Sequence, residues 1–120
     1  MLTEDWMLRQ VEALARSIAY LVFQKDTTEY VPTGAEADGP VDGLHRRLLE
    51  RVNAGDICGA EDLLYTEADL DDRRYLELAV DFYSRLNDLT DRQLEEGGFS
   101  REEIQDGLRD LAGQFGVSLL

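Results

Sequence analysis

Few residues in this chain are equipped for chemistry, and their spacing limits what each can do. His45 is the single histidine and stands beside Arg46 and Arg47. Asp42-Gly43-Leu44-His45 has the i, i+3 carboxylate–histidine spacing found in di-metal bundles. Such a centre needs two Glu-x-x-His units and further glutamates on facing helices, which one histidine cannot supply. A catalytic histidine also needs an acid, a nucleophile or fellow ligands placed by the fold, so His45 is read as a surface or internally satisfied residue. Asp69-Leu70-Asp71-Asp72 opens like a calcium loop, but Arg73 and Arg74 follow where a ligand and the obligatory glycine belong. Glu103-Ile104-Gln105-Asp106 gives one half of a magnesium site in which a Glu-x-x-Asp helix faces a Glu-x-x-Glu helix, and the chain contains no Glu-x-x-Glu. Cys58 has no histidine or lysine near it in sequence and is read as inert, although the start of its helix favours a lowered thiol pKa. There is no glycine-rich phosphate loop and no Gly-x-Ser-x-Gly elbow. No catalytic, metal-binding or cofactor-binding residue is assigned, no cofactor is expected, and nothing argues for an enzyme.

The elements that would position these residues are helices in a single domain spanning residues 1–120. The chain carries 26 acidic and 12 basic residues, a formal net charge of −14, with 43% hydrophobic residues. That apolar content supports one packed core. A field of this sign repels nucleic-acid phosphates and anionic membranes, which excludes both as expected partners. One cysteine cannot form an internal disulfide. The opening MLTEDWMLRQ lacks the basic region of a signal peptide, so a cytoplasmic location is expected.

A long helix is expected over 4–24, with Thr3 as its N-cap. Met7, Val11, Leu14, Ile18 and Leu21 recur at intervals of four and three as one apolar seam. Leu8, Ala15, Ala19 and Val22 form a second seam beside it. Two adjacent seams make a face wider than one neighbouring helix covers, so this helix is read as both core element and contact surface. Residues 25–42 hold both prolines and read as a loop, with Tyr30-Val31-Pro32 able to staple an extended segment across the helices.

Stacked helices are expected over 43–114. Asp42 is the expected N-cap of the first, Gly55 its C′ residue, and Asp56 the cap of the next. Asp71 or Asp72 starts a helix carrying Tyr75, Phe82 and Tyr83 at helical spacing. Thr90 and Gln93 form a capping box with Leu89 and Leu94 as its hydrophobic staple, and Ser100, Glu103, Phe99 and Ile104 repeat the device ten residues later. The apolar tail, Phe115 to Leu120, is expected to dock. No stretch alternates as a strand does.

Two resemblances add to this. Gly55-Asp56-Ile57-Cys58-Gly59-Ala60-Glu61-Asp62-Leu63-Leu64 resembles the turn and second helix of a tetratricopeptide motif, where a glycine closes one helix and a small alanine admits the other. The likeness covers residues 44–86 and implies helical hairpins with repeat-like packing. The run from Met1 to Gln10, continuing to Tyr30, resembles the opening of a family of short acidic bacterial proteins of unknown function, which implies no activity or site.

The sequence therefore predicts an all-α bundle of five to six helices, with tetratricopeptide-like hairpins packed on a long N-terminal helix. The expected function is protein–protein interaction, as a homo-oligomer (a dimer in preference) or an adaptor for another protein. Trp6, Met7, Val11, Leu14, Ile18 and Leu21 are its candidate interface, and Tyr75, Phe82 and Tyr83 the candidate hairpin face. The alternatives are a small-molecule binder or enzyme with a pocket between helices, and an acidic decoy for a nucleic-acid-binding protein.

Overall fold

The first helix, α1, runs over Leu2–Phe23 and packs on two others, α4 (Arg74–Asn87) and α6 (Arg101–Gln114). In this computed structural model residues 2–118 are described, with side chains from Asp5 onward. Between these elements lie α2 (Gly39–Asn53), α3 (Ile57–Glu67) and the short α5 (Asp91–Glu96). The described residues are all helix, turn or loop, as an all-α bundle requires. Thr3 already lies inside α1, and its side chain, expected to cap the helix, falls outside the described ones.

Local signals explain most helix ends. The Asp56 carboxylate accepts the Gly59 N–H at 3.0 Å and caps α3. Thr90 and Gln93 form both halves of a capping box on α5. At α6 the Ser100 hydroxyl accepts the Glu103 N–H and donates to the Glu103 carboxylate. Gly55 closes α2 at φ +83°, a left-handed conformation that glycine adopts without a Cβ clash. Asp56 N–H then reaches back to the Arg51 carbonyl at 2.9 Å.

Helix α2 begins earlier than its sequence suggests. It starts at Gly39, after a short 3-10 turn over Glu36–Asp38, with Pro40 in the first turn. Proline's fixed φ suits that position, where its missing N–H costs no hydrogen bond. Asp42 is therefore not an N-cap. It lies within the first turn and holds the loop instead.

The centre of the bundle is α4, not α1. Helix α4 packs against α1, α2 and α6, and most of its residues are buried, from Tyr75 to Asn87. A helix buried on all sides belongs at the middle of a core. The α2–α3 hairpin joins the bundle through α2 on α4 and through side chains of α3 that reach α4 and α6. Phe115 and Val117 pack against the core as expected of the tail, whereas Leu119 and Leu120 lie outside the described residues.

Candidate interaction surface

Contact with α4 and α6 divides the apolar face of α1. Val11 and Ile18 are fully buried, with Ala15 and Ala19 beside them, so these two members of the expected interface serve the core. Met7 and Leu14 are half-buried at its margin. Trp6 and Leu21 face outward at 57% and 67% exposure, joined by Tyr20 at 67%. Tyr20 did not stand out in the sequence because it lies off both apolar seams. Tyr75, Phe82 and Tyr83 are all buried; the hairpin face is core, because α4 has neighbours on every side.

Half of the large hydrophobic residues exposed among the described residues thus sit on one helix. That helix is nearly neutral, with Glu4, Asp5 and Glu12 against Arg9 and Arg16. Alongside it, α1 and α6 enclose an open groove of about 330 Å³ lined by Trp6, Arg9, Gln10, Ala13, Leu14, Ser17, Gln105 and Arg109. Gln105 donates to Gln10 across its floor at 3.2 Å. The lining holds two arginines and no acid, in a chain of net charge −14.

The polar groups that resemble chemistry are engaged with one another. Asp81, buried in α4, accepts the Tyr30 N–H at 3.1 Å and the Arg85 Nε–H at 2.8 Å, and pairs with His45 Nε2 at 3.1 Å. Burial pushes its carboxyl pKa up, but these three partners outweigh burial and hold it below the ordinary value. The Tyr30 ring packs on the His45 ring with centroids 5.1 Å apart, and its hydroxyl donates to Asp42 at 2.5 Å. Lys25 reaches Glu77 at 3.2 Å, and Thr28 bonds Ser84 at 2.9 Å. The loop after α1 is thereby strapped along one stripe of α4: Glu77, Asp81 and Ser84. His45 is the internally satisfied residue of the two expected kinds, and Tyr30 is the staple. Beside the strap lies a cleft of about 450 Å³ lined by Pro32, Asp42, His45, Arg46, Leu49, Glu50 and Asn53.

A second cluster joins α3, α4 and α6. The buried Tyr83 hydroxyl donates to Glu61 at 2.7 Å, and Tyr65 donates to Asp110 at 2.7 Å. Burial raises the Glu61 pKa, and the Tyr83 hydrogen bond only partly offsets it. Cys58 has its thiol pKa raised, through partial desolvation and then the charges of Glu103 and Glu61. This corrects the expectation that its helix start would lower it: desolvation first, and then the surrounding carboxylates, outweigh the favourable position at the start of α3. Asp69 and Asp72 cap local turns by accepting the N–H groups of Asp71 and Arg74. Among the described residues no group of three or more His, Cys, Asp or Glu side chains is placed to hold a metal ion, and no helix is long and apolar enough to cross a membrane.

A family model described as "Family of unknown function (DUF6483)" matches residues 1–116, and the chain belongs to that family. No curated protein and no solved structure matches it.

Proposed function

We propose that this member of the family is a protein–protein interaction module that associates through the outer face of α1, with self-association into a dimer as its working form. The observation that carries the reading is the row of Trp6, Tyr20 and Leu21, each more than half exposed on one nearly neutral helix. Exposed aromatic residues on a charge-poor surface are the composition of interface centres. The α2–α3 hairpin closed at Gly55, with Ala60 buried, supports a repeat-like scaffold that displays α1. The single cysteine supports a cytoplasmic setting.

Sedimentation of the full chain at tens of micromolar tests the proposal. A dimer is expected, reduced to monomer by Trp6→Asp and by Tyr20→Asp with the helical circular dichroism spectrum unchanged, since both side chains are exposed in the single chain. A wild-type monomer at that concentration overturns it.

The cleft beside His45 favours a second reading, small-molecule binding between the strap and α2. Its lining mixes one arginine, two carboxylates and an apolar wall, the usual make-up of a polar ligand's site. A metabolite panel that raises the melting temperature of wild type but not of Arg46→Ala would support it.

A further inference from the structure

We infer that the cleft between the strap and α2 binds a free amino acid as its zwitterion, His45 Nδ1 receiving the ammonium group and Arg46 the carboxylate. The inference rests on the small-molecule reading above and adds the ligand's chemical class and the acceptor that recognises it.

The first argument is the unused nitrogen of His45. Its side chain is only 7% exposed, yet only Nε2 is engaged, with Asp81 at 3.1 Å. Asp81 Oδ1 accepts the Tyr30 N–H, and Oδ2 accepts from Arg85. A carboxylate so engaged has no hydrogen to give, so Nε2 carries the ring hydrogen and donates it to Asp81. Nδ1 is left with a lone pair and has no partner among the described residues. Every sealed polar side-chain atom among those residues is hydrogen-bonded, so Nδ1 is open to solvent. The opening beside His45 is the cleft. A nearly buried acceptor, held by Asp81 on one side and the Tyr30 ring on another, fits a ligand's N–H or O–H at that wall.

The second argument is the presence of both signs of charge in the lining. Asp42 and Glu50 supply carboxylates, and Arg46 supplies a guanidinium. The Tyr30 hydroxyl donates to Asp42 and holds its carboxyl below the usual range, which keeps it ionised. Asp42 also accepts the Gly34 N–H, and the roughly four lone-pair sites of a carboxylate leave room for a further donor. An ammonium group thus finds Asp42 and His45 Nδ1 on one helix, α2. Arg46 has one ion pair among the described residues, with Glu50 at 4.0 Å, and both side chains are largely exposed. Its planar fork is therefore free for a ligand carboxylate. Pro32 and Leu49 give the ligand's apolar side chain a surface.

The third argument is what the cleft rejects. Two carboxylates outnumber one arginine in the lining, within a chain of net charge −14, and that field disfavours a simple anion. A simple amine suits the acceptors but sets its charge beside Arg46 with nothing to offset the repulsion. A zwitterion carries both charges and no net one, so it serves Arg46 and the acceptors together. Discrimination of this kind comes from the charge a wrong ligand leaves unmatched.

The test is nitrogen NMR of the full-length labelled chain above neutral pH, where the single histidine gives two ring-nitrogen signals. In the free protein Nε2 is expected to carry the hydrogen and Nδ1 to be bare; the opposite tautomer or a doubly protonated ring overturns the inference. The probes are free leucine, isopentylamine and isocaproate, which share one carbon skeleton and differ in the charges they keep. Leucine is expected to shift Nδ1 and the Leu49 and Asn53 amides saturably. It should bind about tenfold or more tighter than either fragment, the effect of one charge-assisted contact. Arg46→Ala, a change at an exposed side chain, should weaken leucine and leave isopentylamine unweakened. Either fragment binding as tightly as leucine, or binding that leaves Nδ1 unmoved, overturns the zwitterion assignment while the small-molecule reading stands. If none of the three binds, the inference falls, and the reading beneath it is decided separately by the Arg46-dependent metabolite screen.

Discussion

Arg101, the first residue of α6, donates from one nitrogen to the main-chain carbonyl of Asn87 at 2.8 Å and to the Asn87 side-chain oxygen at 3.0 Å. Its other terminal nitrogen reaches the Leu89 carbonyl at 2.9 Å and the Asp91 carboxylate at 2.9 Å. Asn87 in turn donates to the Leu8 carbonyl of α1 at 2.9 Å. One buried guanidinium thus satisfies carbonyls at and beyond the C-terminus of α4 that have no intrahelical donor, and its asparagine partner fastens α1 to the same point.

Arg101→Met keeps much of the volume and removes every donor. It should destabilise the chain by about 2–4 kcal/mol, the usual cost of leaving buried polar groups without partners. Urea denaturation followed by circular dichroism would measure it. Arg101→Lys should recover only part of the loss, because a single ammonium cannot serve carbonyls and a carboxylate on several sides.

Two glycines on α6 should respond to alanine with opposite signs. A Cβ on Gly107 would stand 2.5 Å from the Tyr83 hydroxyl oxygen and 2.8 Å from Glu61, whereas one on Gly113 meets nothing within 4 Å. Gly107→Ala should cost about 1–3 kcal/mol through overpacking, and Gly113→Ala should gain up to about 1 kcal/mol from helix propensity. Tyr83→Phe, which deletes the clashing hydroxyl, should reduce the Gly107→Ala penalty when combined with it, seen as a non-additive double-mutant cycle.

Glu61 predicts a pH effect in the less common direction for an acid. Its pKa is raised in the folded state, so the stability it contributes is present below the unfolded value of 4.5 and is lost as pH rises through the folded one. Glu61→Gln still accepts from Tyr83 without carrying the charge. The variant should gain on wild type as pH rises from 4 to 7 in thermal melts, and match it at pH 4 and below.

Asp81 has the reverse dependence. Its pKa is lowered, so its contribution is present above the unfolded pKa of 3.8 and disappears as pH falls through the folded one. Asp81→Asn should cost about 3 kcal/mol at pH 7, as expected when a buried ion pair loses one partner. That penalty should shrink below about pH 4 as the wild-type carboxyl takes up its proton.

What the sequence discloses here is mostly local. Thr90 with Gln93, Ser100 with Glu103, and Asp56 behind Gly55 each satisfy helix ends within a few residues, so their signatures survive without tertiary context. The wide apolar face of α1 was also visible, but how it divides was not. Val11 and Ile18 go inward and Tyr20 outward because of where α4 and α6 lie, which no period in α1 encodes. The central place of α4 carried a signal in the apolar run from Leu78 to Tyr83, broken by Asp81 alone. Arg85 is a local partner of Asp81 four residues on, but Tyr30 and His45 lie 51 and 36 residues away in sequence, beyond any local rule. The early start of α2 turned on Pro40, whose ring suits a first turn as well as it suits a loop.

The uneven spread of charge also bears on how this molecule meets others. With 23 of its 26 carboxylates outside the first 24 residues, encounters between copies are repulsive in nearly all orientations and least so through α1, so electrostatics acts as an orientational filter on collision. Screening relaxes that filter. Added salt should therefore weaken the repulsion between copies, read as a fall in the second virial coefficient by light scattering, whereas complexes steered together by opposite charges form more slowly as salt rises.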